Sequence, residues 1–189
     1  MRLLRLIIGL WIFGVGDAMI VLSGLGNSPW TVLAEGLAVN TRMTIGLASI
    51  VVGAVLFAIW VPLRVRPGLG TVLNVFLIGI AIDVTLATVA EPHTLPWRIA
   101  VLLGGVATIG LGSGLYLGTR HGPGPRDGLM TGLHRATGWP IAVIRGLIEA
   151  VALTMGWLLG GTLGIGTLVF ALLIGPAVHA GLAVDDKIR

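Results

Sequence analysis

HGPGPRDGLM, residues 121–130, breaks an apolar chain with two Gly-Pro pairs and the charged pair Arg126-Asp127, after which the apolar character resumes. Pro125 has a fixed φ and no N–H, so it suits the first turn of a new helix. Gly124 then serves as a permissive N-cap, and Asp127 falls near the positive end of the helix dipole. The run therefore reads as a helix restart. A second restart is spelled Gly26-Asn27-Ser28-Pro29-Trp30, with Ser28 as N-cap and Pro29 in the first helical position.

The chain around these restarts belongs in a membrane. Of its 189 residues 56% are hydrophobic and 11% charged, with a mean hydropathy of +1.01, whereas soluble domains carry roughly 25% charged residues. Absence of cysteine excludes disulfides and thiolate metal sites. Thirty glycines suit membrane helices that approach closely through small residues. The opening Met1-Arg2-Leu3-Leu4-Arg5 leads into an apolar run without a small-residue cleavage site, so it is read as a retained first span.

Six continuous apolar segments, each near the ~20 residues that cross the hydrocarbon core, lie at about 6–23, 44–63, 71–90, 97–118, 139–159 and 167–184. Continuity without alternation favours helices over barrel strands. Short helices at 29–39 and 125–136 follow the restarts; they are too short to span and either lie at the interface or dip into the bilayer. With both termini cytoplasmic, Arg2, Arg5, Arg64, Arg66, Arg120, Arg126, Arg135, Lys187 and Arg189 fall inside and Arg42 and Arg98 outside. This orientation absorbs the net charge of +4 and leaves no reason to expect nucleic acid.

Sliding the sequence on itself at an offset of 96 aligns Gly26 with Gly122, Pro29 with Pro125, Leu33 with Leu129 and Gly36-Leu37 with Gly132-Leu133. The same register, without a gap, aligns Gly68-Leu69-Gly70-Thr71 with Gly164-Ile165-Gly166-Thr167, Ile78-Gly79 with Ile174-Gly175, and Gly14 and Gly16 with Gly110 and Gly112. This is a duplication. Three spans per half make an odd number, so the second copy enters the membrane upside down. The expected fold is all-α: one transmembrane domain over 1–189, six transmembrane helices, two inverted three-helix repeats at 1–93 and 97–189, and a short Pro-started helix after the first span of each.

Four ionisable residues fall inside the expected spans: Asp17, Asp83, Arg145 and Glu149. Each costs at least ~2.5–3.5 kcal/mol at a helix centre and needs a partner or a wet cavity. They are the expected substrate- or proton-binding residues, with Ser28, Pro29, Gly124, Pro125, Arg126 and Asp127 as helix starts or gates. Arg145 and Glu149, four apart on one face, equally fit a self-sufficient structural pair. His179 stands 96 residues after Asp83 and would make a second gate, or a plain interfacial residue. Three carboxylates against one arginine favour a cationic or zwitterionic substrate or a coupling proton, while the restart N-termini favour an anionic group; a zwitterion satisfies both.

His121 and His134 match no zinc spacing, and no H-E-x-x-H, G-x-S-x-G or complete P-loop occurs, so neither an enzyme nor a metal or other cofactor is expected. Trp11, Trp30, Trp97 and Trp139 read as interface anchors, with Trp60 and Trp157 nearer the interior.

The run Gly122 to Met130, the earlier G-x-S-P-W, the two G-x-G-T segments and Ile174-Gly175-Pro176 together resemble the bacterial YczE-type membrane proteins, related to the YitT group, over nearly the whole chain. The resemblance implies a bacterial inner-membrane protein. Thr31 departs from it, because the family often has Asp there, matching Asp127 in the second half. The expected function is a small-solute transporter, with or without proton coupling, with a midplane site between the repeats. The alternatives are a scaffold or substrate-binding subunit that needs an energising partner, and a passive channel. Lipid, a small-molecule or ion substrate and a second copy of the chain are the expected partners.

Overall fold

In the computed structural model, residues 2–188 are described and form eight helices. These are α1 (Arg2–Ser23), α2 (Pro29–Asn40), α3 (Ile45–Trp60), α4 (Leu69–Thr88), α5 (Leu95–Leu117), α6 (Pro125–Thr137), α7 (Ile141–Leu158) and α8 (Ile165–Ile188). Arg189, placed above among the cytoplasmic basic residues, and Met1 lie outside the described residues. Both proline restarts start helices as expected. Three helix starts in each half keep one spacing: Pro29 and Pro125, Ile45 and Ile141, and Leu69 and Ile165 are each 96 apart.

Five helices are long and apolar enough to cross a membrane, and six spans result if α2 and α3, bent by 113° at their short break, count as one. The second span therefore differs from the expected continuous 44–63. α3 has 16 residues, which at 1.5 Å each reach only ~24 Å. It stops at Trp60 because Arg64 adopts a positive φ of 53°, and the Val65 amide folds back onto the Trp60 carbonyl (3.2 Å).

Glycine builds the centre. Gly9 lies against Gly112 and Tyr116, Gly16 against Gly105 and Ile109, and the Arg98 guanidinium reaches the Ser23 and Gly24 carbonyls at 2.6 Å. Low numbers on α1 thus meet high numbers on α5, and the two helices run antiparallel. Gly14 receives α4 through Ile78 and Ala81, while Gly110, 96 residues later, receives α8 through Ala177. Two backbone bonds between the halves obey the same spacing: Gly166 N donates to Leu25 O (2.7 Å) and Gly70 N to His121 O (2.9 Å). Each restart loop therefore closes the first turn of a helix in the other half. Gly26 (φ +116°) and Gly122 (φ +121°) make the sharp turns, a region that disfavours side chains. Arg5 pairs with Asp185, so the N-terminal end of α1 meets the C-terminal end of α8.

The tryptophans divide differently from expectation. Trp30 is buried at 8% exposure and Trp60 at 1%, whereas Trp157 is 57% exposed. Trp30 is therefore no interface anchor and Trp157 no interior residue. Burial follows which helix faces have neighbours, and α7, which carries Trp157, is mostly exposed.

Candidate functional site

The two helix restarts meet at one cavity of about 380 Å³. α2 contributes Pro29 and Trp30, α6 contributes Pro125, Arg126 and Asp127 with its N-cap Gly124, α7 contributes Arg145 and Glu149, and α4 and α5 add Asn74, Ser113 and Tyr116. Proline starts both short helices, and residues of their first turns reach the cavity.

Arg126 is the centre of charge. Its guanidinium lies 5.2 Å from the Trp30 ring centroid, a cation–π contact. Asp17, Asp127, Tyr116 and Glu149 are its electrostatic neighbours. The side chain is half-buried, reached from the cavity. Asp127 accepts from the Gly124 amide, reaching back over its own helix start, and also feels Arg145. The space a Cβ would take on Gly124 lies 3.3 Å from an Asp127 carboxylate oxygen, 3.7 Å from the Tyr116 hydroxyl and 3.9 Å from the Asn74 amide nitrogen. A backbone without a side chain there lets the three polar groups converge.

Asp17 sits behind this wall, 2% exposed. The Thr31 hydroxyl donates to it (3.0 Å) and is itself paired with the Ser28 hydroxyl (2.7 Å), whose oxygen caps α2 by accepting from the Thr31 amide. Asp17 and Thr31 correspond at the 96-residue spacing to Ser113 and Asp127. Each half therefore holds one carboxylate and one hydroxyl at these two positions, exchanged between first helix and restart. The carboxylate that Thr31 lacks is present one helix away.

The remaining predicted residues separate into two groups. Arg145 and Glu149 face the cavity and bond each other, Nε to Oε1 at 3.1 Å. Asp83 stands apart from the cavity: its carboxylate accepts from the Thr44 hydroxyl (2.6 Å) and the Gly46 amide (2.8 Å), holding the start of α3 against α4. His179 is exposed, beside a second cavity that also touches Arg145. His134 Nδ1–H donates to the Trp139 carbonyl (2.7 Å), and His121 serves through its carbonyl. Among the described residues, no three His, Cys, Asp or Glu side chains gather to hold a metal ion.

Sequence reasoning missed Trp30, Asn74 and Tyr116 as cavity residues. A lone asparagine in the apolar 71–90 run and the single tyrosine of the chain were the available signals. It also missed Glu35, whose carboxylate accepts from Asn27 Nδ2 (2.8 Å), the Thr162 amide (2.7 Å) and the Thr162 hydroxyl (2.8 Å), tying α2 to the loop before α8.

Apolar spans around a charged cavity define the class: a multi-pass α-helical membrane protein, set in a lipid bilayer. The chain belongs to a family of unknown function (DUF6198), whose model matches residues 1–181. It is 42% identical to an uncharacterized protein of Haemophilus influenzae over 97% of this chain and 84% of that one. It is 35% identical to the uncharacterized membrane protein YczE of Bacillus subtilis (84% of this chain, 74% of that one), and 29% identical to the uncharacterized protein YyaS of the same organism (95% and 92%). No solved structure matches.

Proposed function

We propose that the chain is a small-solute transporter of the bacterial inner membrane, and that the cavity between its halves binds a zwitterionic solute. The observation that carries this reading is the meeting of both restart helices with Arg126, Asp127, Arg145 and Glu149 around one cavity of about 380 Å³. That volume falls within the ~300–1,000 Å³ usual for small-molecule sites. Two guanidiniums and two carboxylates line it, and the partly exposed Arg145–Glu149 pair can exchange its mutual contact for a ligand bearing both signs. Asp17, behind Thr31 and in the field of Arg126, is the carboxylate we assign to a coupling proton.

The same proposal treats the halves as inverted repeats with both termini cytoplasmic. The antiparallel α1–α5 contact, the paired bonds of Gly70 and Gly166, and the meeting of Arg5 with Asp185 support it. The distribution of arginines supports the sidedness. The test is uptake into liposomes that contain only this chain, with and without a pH gradient. Saturable uptake of a water-soluble zwitterion, lost in Arg126→Ala, is expected; uptake that is absent, or unchanged in that variant, would refute it.

A further inference from the structure

One helix pair packs differently in the two halves. In the first, α3 lies tightly on α4: Gly46 touches the Gly79 carbonyl, Gly79 receives Ile50, and Gly53 receives Val75. Ninety-six residues later the equivalents of Ile50 and Gly79 are Gly146 and Gly175, and a Cβ on either would meet nothing within 4 Å. Arg145 and Glu149 replace Ser49 and Gly53. Among the described residues α7 and α8 make no substantial packing contact. Large charged side chains where the first half has small ones leave no seam along which α7 and α8 can close.

The gap between them forms a second cavity of about 320 Å³, which shares Arg145, Ile174 and Val178 with the charged cavity and is otherwise lined by Gly175, His179 and Leu182. Both flanking helices qualify as spans, and Leu147, Val151, Leu168 and Leu172 are exposed on them. The gap therefore faces hydrocarbon. A free polar solute reaching it would first have to leave water, whereas an amphiphile keeps its chain in lipid while its head moves inward.

We propose that the α7–α8 gap is a lateral portal, through which an amphiphile with a zwitterionic head group enters from the bilayer. Its head lies among Arg126, Asp127, Arg145 and Glu149, and its chain runs along the α8 side of the gap over Ile174 and Val178. Charged groups from Arg126 out to Arg145, beside an apolar track of Ile174, Val178 and Leu182 along α8, are the complement of such a molecule. The portal rests on the cavity being a solute site, and narrows its substrate from a free zwitterion to a zwitterionic head group.

The full chain, reconstituted in vesicles containing a phosphatidylethanolamine with a diazirine near the head-group end of one acyl chain, tests this directly. Photolysis is expected to label Phe170 and Ile174 as well as the outer residues Leu168 and Leu172. Gly146→Phe with Gly175→Phe fills the portal and should cut the Phe170 and Ile174 labels at least ten-fold while leaving the outer labels unchanged; the outer labels report that the variant is folded and inserted. Gly146→Phe alone, with a smaller loss of the same labels, serves if the double variant does not insert. Inner labels that are absent, or that survive filling, overturn the portal. So does near-complete disulfide pairing between two copies of the Gly175→Cys chain, which has no other cysteine, because a second copy then covers the mouth. Uptake of a water-soluble zwitterion that persists in the filled variant rejects the portal and leaves the transport reading standing; inner labelling without any uptake by the unmodified chain does the reverse.

Discussion

The indole of Trp60 occupies the space that a Cβ on Gly128 would need, and its N–H donates to the Pro125 carbonyl at 3.0 Å. The last residue of α3 thereby holds the first turn of α6, and with it the presentation of Arg126 and Asp127. Gly128→Ala should destabilise the protein by ~1–3 kcal/mol, because the indole is buried and hydrogen-bonded and has no room to retreat. Thermal unfolding in detergent would read this as a lowered midpoint. Trp60→Phe should lose ~1 kcal/mol or more through the orphaned Pro125 carbonyl.

Glycine substitutions should divide by sign. Gly26→Ala and Gly122→Ala place a side chain at φ of +116° and +121°, against the Gly164 backbone and the Thr71 hydroxyl respectively. Each should cost more than ~1 kcal/mol. Gly146→Ala, in a helix and in open space, should be neutral or raise the unfolding midpoint, since alanine is the better helix former by ~0.8–1 kcal/mol. A midpoint series over the three variants checks the order.

Glu35 organises the loop before α8 from a distance of 127 residues along the chain. Glu35→Ala strands the Thr162 amide and hydroxyl and the Asn27 side chain, so protease cleavage near Gly160-Gly161 should become faster before global unfolding does. Glu35→Gln, which keeps an acceptor, should recover part of the protection. Equal cleavage rates in all three proteins would count against this role.

Asp83 and Arg126 should behave oppositely. Asp83→Ala removes the acceptor for Thr44 and Gly46 at the start of α3, and should lower stability by ~1 kcal/mol, as loss of a cap does, while uptake into liposomes stays within about two-fold. Arg126→Lys, which keeps a cation beside Asp17 and Asp127, should leave folding near that of the unmodified chain and cut uptake at least ten-fold, whereas Arg126→Ala should abolish uptake and also lower the midpoint by stranding those carboxylates. Flux measured beside unfolding midpoints separates the two effects; uptake lost in Asp83→Ala at unchanged stability would move Asp83 into the transport machinery.

Local chemistry made much of this legible in the chain. Proline in the first helical turn, glycine where φ must be positive and apolar runs of span length depend on near neighbours alone, so the restarts at Pro29 and Pro125, the membrane compartment and the 96-residue register could all be read from residues. The shortened α3 could not, since its end depends on how Trp60 seats over the other half. Nor could the company of each charge: Asp17, Asp83, Arg145 and Glu149 share one signature in sequence, an ionisable group in an apolar run. Only the tertiary structure sends Asp83 to a helix cap, Asp17 to Thr31, and the Arg145–Glu149 pair to the cavity around Arg126. Partners across tens of residues are set by which helix faces meet, and faces meet through small residues whose contacts lie on other helices. The chain by itself determined where helices start and that they lie in lipid; the crossing of its two halves decided which charges face one another.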